Sequence, residues 1–391
     1  MEELFFLAEI VICTLCFLMG VIFLVVPVPA DPKFQGYRIS LKVLAIDYIV
    51  LGLLDFISLL FWEESHVFGY FNFIRALVSS LQAFLFTFAL LNLLNPRFIT
   101  RRRLLQNLLP LAAFVLAYVA SLLLFGDYEL QSLSQLGEGV MHPTMAIRVL
   151  FFTFYAAQLC YFCHLFYIEA KQLKRGLENY FSDTHQLNLK SYLNLLRGAI
   201  AIGVMALVSL VQSSLIFESF FTVATIIFYF LFAIKFINYT RIFVLIEPAI
   251  LPQPEIEPAI LGESIEVLDL DVARGGYNCN WKKLRNRIVD EQHYLKEQVT
   301  LEDIAQTLRI SRTTLSNLIN SEEGQNFYSW INSLRIEYAK KLILDDSGYT
   351  IAQIGRVTGF TETSNFSRTF KNITGLTPTQ WRKCNSEAVS C

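Results

Sequence analysis

Seven apolar segments recur through the first 246 residues, near 4–26, 40–62, 70–94, 104–125, 142–168, 192–217 and 219–246. Each is long enough to cross about 30 Å of hydrocarbon, which takes roughly 20 residues of helix. The sequence therefore predicts an all-α chain with a seven-helix transmembrane bundle over 1–246. Composition agrees: 54% of the 391 residues are hydrophobic, 34 are Phe, and only 17% are charged, against about 25% in an ordinary globular protein. The start, Met1-Glu2-Glu3, is acidic where a signal peptide would be basic, so the first apolar run reads as a retained span. Seven scattered Cys do not form a disulfide framework.

The loops between these segments carry charge on alternate sides. Segment 27–39 holds Lys33 and Arg38, 95–103 holds Arg97, Arg101, Arg102 and Arg103, and 169–191 holds Lys171, Lys174, Arg175 and Lys190. The intervening loops, 63–69 and 126–141, hold no Lys or Arg but carry Glu63, Glu64, Asp127, Glu129 and Glu138. Basic residues stay on the cytoplasmic side. The expected topology is a bacterial inner-membrane protein with its N-terminus periplasmic and, after seven crossings, its C-terminus cytoplasmic.

Charges inside spans are costly and invite a functional reading. Under this topology Glu9, Asp55, Arg75 and Arg148 fall roughly 7–11 Å below the outer surface, at 1.5 Å per helical residue. They are expected to form one layer. That layer is either a set of neutral pairs locking the bundle or the lining of a periplasmic pocket for a charged or zwitterionic ligand. Arg197 and Lys235 lie near inner ends and can snorkel; Asp47 is at a compatible depth. Cys160-x-x-Cys163-His164 spells a haem-attachment pattern but falls inside a span, and Cys13 and Cys16 lie at another depth, so apolar packing is the expected role of these thiols.

From Glu247 the chain changes character. Pro248, Pro252, Pro254 and Pro258 are expected to break any helix, and Glu247, Glu255, Glu257, Glu263, Glu266, Asp269 and Asp271 make 247–279 an acidic, semi-extended linker. Residues 280–385 then carry 15 Lys and Arg against 11 Asp and Glu, a net +4 that favours phosphate contact. Thr300 and Asp303 form a near capping box before a short helix with Leu301, Ile304, Ala305 and Leu308 inward. A turn at 309–311 leads to a second helix that buries Leu315, Leu318 and Ile319 and leaves Arg312, Thr313, Thr314, Ser316 and Asn317 outward. A long amphipathic helix follows over 327–344. Residues 351–382 repeat the helix–turn–helix pattern around Gly359, with Phe366 and Phe370 inward and Thr363, Asn365, Ser367, Arg368 and Lys371 outward. Such faces can enter a major groove and reach base edges. The 18-residue connecting helix is about 27 Å long, near the roughly 34 Å between successive major-groove faces. Residues 386–391 are a tail.

This half resembles the AraC/XylS family of bacterial transcription regulators. The resemblance rests on Phe327-x-x-Trp330-Ile331-x-x-x-Arg335-Ile336-x-x-Ala339-x-x-Leu342, Ile351-Ala352-x-x-Gly355, Gly359-Phe360, Phe366-Ser367-Arg368-x-Phe370-Lys371, Thr374-Gly375-x-Thr377-Pro378 and Trp381-Arg382. It covers about 100 residues and implies two helix-turn-helix units in adjacent major grooves, with a separate sensor domain. The first unit departs from the family at Asn317, Ile319 and Asn320, where a base, an aromatic and a second base are usual; that implies a weaker phosphate grip there.

The combined reading is a membrane-anchored transcription regulator. Its expected partners are double-stranded DNA, membrane lipid and an unidentified small-molecule or protein signal; a homodimer is left open. No catalytic residue, metal or cofactor is expected. Two alternatives stand beside it: a transporter or membrane enzyme that feeds back on its own gene, and an anchor whose partner protein does the sensing. A transporter would show two repeated halves with broken helices, and no repeat is visible.

Overall fold

The computed structural model describes residues 2–60, 70–95, 98–130, 132–184, 189–212, 214–250, 281–345 and 348–389. Among these the chain is helical, with a single isolated β-bridge. Glu63, Glu64, Arg97 and the linker beyond Ile250 lie outside the described residues. The chain divides into two compact units, one of Met1–Leu173 with Leu189–Val244 and one of Lys174–Asn188 with Leu245–Cys391. The sequence places a boundary at 246; in the structure the second unit resumes at Leu245. The segment 174–188, expected as a loop of the first half, belongs instead with the second.

The first unit contains α1 (Glu2–Val25), α2 (Gln35–Leu60), α3 (Phe73–Leu94), α4 (Arg101–Phe125), the short α5 (Leu136–Gly139), α6 (Pro143–Tyr180) as far as residue 173, α7 (Leu189–Ser209) and α8 (Leu215–Ile237). Seven of these lie where spans are expected. Five (α1, α3, α4, α6 and α8) contain a stretch that is long and apolar enough, by length and composition, to cross a membrane. The expected seventh segment, 219–246, is divided at Asn238 between α8 and α9 (Tyr239–Ile250). Pro248 does not break α9; it sits in the last turn, where only the Val244 carbonyl loses its donor before the helix ends.

Helix α1 packs on α2 and α8, α2 on α3, and α7 on α3 and α8. Rings fill much of this interior: Tyr48 lies edge-on to Phe23 and contacts Phe86 and Tyr229, and Phe232 stacks on Phe236. Polar groups inside are tied across helices. Ser80 Oγ donates to Gln158 Oε1 at 2.6 Å, Asn92 Nδ2 to the Gly36 carbonyl at 2.7 Å, and the Tyr48 hydroxyl to the Tyr229 carbonyl at 3.0 Å. Cys13 and Cys16 are buried as free thiols, in keeping with a packing role.

The second unit contains α10 (Trp281–Asp290), α11 (Leu301–Leu308), α12 (Arg312–Glu322), α13 (Phe327–Leu344), α14 (Ile351–Val357), α15 (Thr363–Thr374) and α16 (Pro378–Val389). Helix α13 is its spine. Phe327, Trp330 and Ile331 on its first half complete a core with Leu284, Ile288, Ile304, Leu315 and Ile319. Ile336, Ala339 and Ile343 on its second half complete another with Ile354, Phe360, Phe366 and Phe370. Two helix–turn–helix units, each with its own core, are therefore held on one 18-residue helix.

Candidate DNA interface and charged cavity

Local rules shape the first unit. Thr300 and Asp303 complete the capping box of α11. Arg309 ends that helix in the left-handed region at φ 57°, and Ser311 starts α12 by accepting from the Thr314 amide at 3.0 Å. Leu315 and Ile319 are fully buried. Thr313 and Asn317 are exposed on the other face, and Arg312, Thr314 and Ser316 are half-buried.

The second unit is built in the same way. Thr350 and Gln353 form a capping box at α14. Gly359 turns the chain at φ +85°, and a Cβ there would stand 2.5 Å from the Leu295 carbonyl oxygen, so the turn requires glycine. On α15, Thr363, Arg368 and Lys371 are exposed and Ser367 is half-buried. Asn365 corrects the expectation: it is 3% exposed and its Oδ1 accepts from Arg368 Nη2 at 3.1 Å. It lies one turn before buried Thr369 and next to Phe366, so it belongs to the inward stripe. Its amide oxygen is turned to Arg368 and not outward.

The second unit also holds an element that loop-charge counting passed over. Residues 174–184 lie against the helix-turn-helix core. Tyr180 packs on the first core, and Phe181 bridges Thr300 in antiparallel fashion. The Ser182 amide donates to the Val299 carbonyl at 3.2 Å, and Asn332 Nδ2 donates to the Ser182 carbonyl at 3.2 Å. Fully buried Arg335 donates to the carbonyls of Tyr294 at 2.7 Å and Lys296 at 2.8 Å and reaches Ser182 Oγ at 3.4 Å. Burial pulls its guanidinium down to about 10, with the Asp183 charge opposing, so it is a cation at neutral pH. Thr361, in the turn of the second unit, donates to Asp183 Oδ2 at 2.8 Å. One short strap therefore touches both units. The signal in the sequence was the Tyr180-Phe181 pair, two large rings in a loop rich in charged and polar residues.

The strap also bears on Arg312. Its guanidinium lies 5.5 Å from the Tyr180 ring centre, its Nε pairs with Glu302 Oε2 at 2.9 Å, and its Nη1 donates to the Pro248 carbonyl at 3.1 Å. Three intramolecular partners thus hold the first residue of α12.

Among the N-terminal helices, three of the four residues expected in a charged layer line one cavity of about 540 Å³: Glu9, Asp55 and Arg75. Arg148 lies elsewhere. It pairs with Asp127 and donates to the Tyr128 carbonyl and the Tyr118 hydroxyl, each at 3.0 Å. Arg75 pairs with Glu218, with Nη2 to Oε2 at 2.7 Å. Glu218 sits 143 positions away in sequence and was not singled out.

Residues 304–384 match the family described as "Helix-turn-helix domain". The arabinose operon regulatory protein of Escherichia coli (strain K12) is 32% identical over 110 residues, which are 27% of this chain and 37% of that protein. The transcriptional activator NphR of Rhodococcus sp is 33% identical over 95 residues, 24% of this chain and 28% of that protein. Among solved structures, the C-terminal domain of AraT, a response regulator from Geobacillus stearothermophilus, is 30% identical and covers 26% of this chain and 83% of its own, with a TM-score of 0.24. The chain spans about a third of the length of the curated relatives it matches. The C-terminal part of this chain is an AraC-type helix-turn-helix domain.

Proposed function

We propose that this protein is a membrane-anchored transcription regulator. Its two helix-turn-helix units bind double-stranded DNA in adjacent major grooves, and its N-terminal helices span a bacterial inner membrane seven times. Arg312, Thr313, Thr314, Ser316 and Asn317 face DNA from the first unit, and Thr363, Ser367, Arg368 and Lys371 from the second. A signal received by the N-terminal helices changes DNA binding.

The observation that carries this reading is the strap. Helix α6 is continuous from Pro143 to Tyr180, so one element belongs to the apolar helices at its start and to the DNA-binding core at its end. The spanning part is supported by side chains left outward: Leu116, Leu123 and Leu124 on α4 and Ile216 and Phe220 on α8 are more than 60% exposed. Outward faces this apolar suit lipid. The loop charges favour basic residues inside.

Two measurements test it. Reporter fusions after residue 133 should behave as periplasmic and those after residue 99 as cytoplasmic; the reverse would end the topology. The purified full chain in lipid nanodiscs should bind DNA with an affinity that falls steeply with salt. Salt-independent or absent binding would end the regulatory reading.

A further inference from the structure

The cavity of the first unit is unusual in its charge balance. Its wall carries three carboxylates, Glu9, Asp55 and Glu218, against one guanidinium, Arg75. Arg75 already pairs with Glu218 Oε2 at 2.7 Å. Glu218 is 2% exposed, and its second oxygen, Oε1, has no hydrogen-bond partner among the described residues. Asp55 Oδ2 is in the same position. Glu9 Oε1 accepts from Thr222 at 3.1 Å. The rest of the wall is mostly apolar and aromatic, with Phe86, Tyr155, Phe228 and Tyr229, and also carries Asn72, Ser79, Gln82, Thr87 and Thr225; Gln82 Nε2, a donor, likewise has no hydrogen-bond partner among the described residues.

Buried carboxylate oxygens without partners are costly, and the cost is removed by a donor that also carries positive charge. We propose that this cavity binds an organic cation: an ammonium group on an apolar, partly aromatic body. The ammonium donates to Asp55 and Glu218, the two groups with open oxygens. The body lies against the rings, which favour a nearby cation. At about 540 Å³ the cavity is of the size that holds a small molecule. An anion would meet three acids, and a zwitterion would need a guanidinium that Glu218 already engages. A neutral apolar guest would leave both open oxygens unpaired. The same ammonium chemistry occurs in free amines and in aminophospholipid headgroups. The site deepens the sensing part of the proposed function, but ligand binding at it does not require that part to hold.

The experiment uses the full chain in nanodiscs of phosphatidylglycerol, with tritiated propranolol as probe: a secondary ammonium on a naphthyl ether. Binding should be saturable above empty nanodiscs, displaced by unlabelled propranolol and not displaced by 2-naphthoxyacetate, which has the same ring and the opposite charge. Asp55→Asn and Glu9→Gln are near-isosteric. Asp55→Asn should weaken binding about tenfold or more, the size of one lost charge-assisted hydrogen bond. Glu9→Gln, which removes charge at a distance, should weaken it less. Size-exclusion elution as a single species shows that each variant is folded. Adding phosphatidylethanolamine should compete with the probe if the headgroup is the natural source and leave it unaffected if a free amine is. No saturable binding up to 1 mM, on the order of the weakest specific small-molecule sites, overturns the proposal. So does equal displacement by the anion, or an Asp55→Asn affinity equal to the parent's. DNA binding measured on the same preparation separates this failure from failure of the regulatory reading.

Discussion

Glu302→Gln should tighten DNA binding, and only while Arg312 is present. In the free protein Arg312 Nε pairs with Glu302 Oε2 at 2.9 Å, with side chains 19% and 33% exposed. A partly exposed pair of this kind is worth about 0.2–1 kcal/mol. If Arg312 must leave Glu302 to reach a phosphate or a base edge, that energy opposes complex formation. Removing it should lower Kd by a factor of about 1.4 to 5, since 1.4 kcal/mol is tenfold. Loss of a negative charge near DNA would also help by general electrostatics, so the comparison is a double-mutant cycle. Glu302→Gln is measured alone and in the Arg312→Ala background, by fluorescence anisotropy of the full chain on a fragment recovered by genome-wide occupancy. At 0.15 M salt the general effect is screened beyond about 8 Å. The expected result is a gain with Arg312 and none without it. An equal gain in both backgrounds would refute the reasoning. A loss of affinity would refute it differently, by making Glu302 a residue that positions Arg312 for DNA.

Gly359→Ala should cost on the order of 2–5 kcal/mol of the C-terminal unit's stability, from left-handed backbone strain and a Cβ pressed 2.5 Å from the Leu295 oxygen; protease resistance and DNA affinity equal to the parent's would contradict the turn. Asn332→Ala leaves the Ser182 carbonyl without its buried donor, a cost of about 1–3 kcal/mol, and should speed amide exchange of residues 178–184 by about fivefold to a hundredfold. Unchanged exchange would mean that the strap is not docked. Lys371→Ala should weaken binding evenly across DNA sequences and reduce the salt slope by about 1; a change confined to one base position would make Lys371 a base reader.

Much of the C-terminal half was legible because its rules are local. Capping boxes join residues three apart, as at Thr300 with Asp303 and Thr350 with Gln353. A glycine between two apolar stripes marks a turn, as at Gly359. The helix expected over 327–344 begins and ends at those residues, because its apolar spacing and flanking polar residues lie within the segment itself. Asn365 shows the limit of that method: two Phe residues defined the inward stripe, and a small polar residue beside them was assigned outward by default.

What tertiary structure decided is which distant residues meet. Depth in a span could place Glu9, Asp55, Arg75 and Arg148 at one level, but not on one side of their helices. Rotation about the helix axis, set by packing, brings three of them to one cavity and sends Arg148 to Asp127. Glu218 reaches Arg75 only because α8 folds back on the earlier helices. The strap is the same kind of fact. The Tyr180-Phe181 pair hints that 174–184 is covered but does not name its partners, since its amide, carbonyl and side-chain bonds are made to residues well over 100 positions away. Helix starts, stops and inward faces are short-range consequences of sequence. Pairings of buried polar groups follow from how the helices are packed, and in this protein those pairings carry the cavity and the strap.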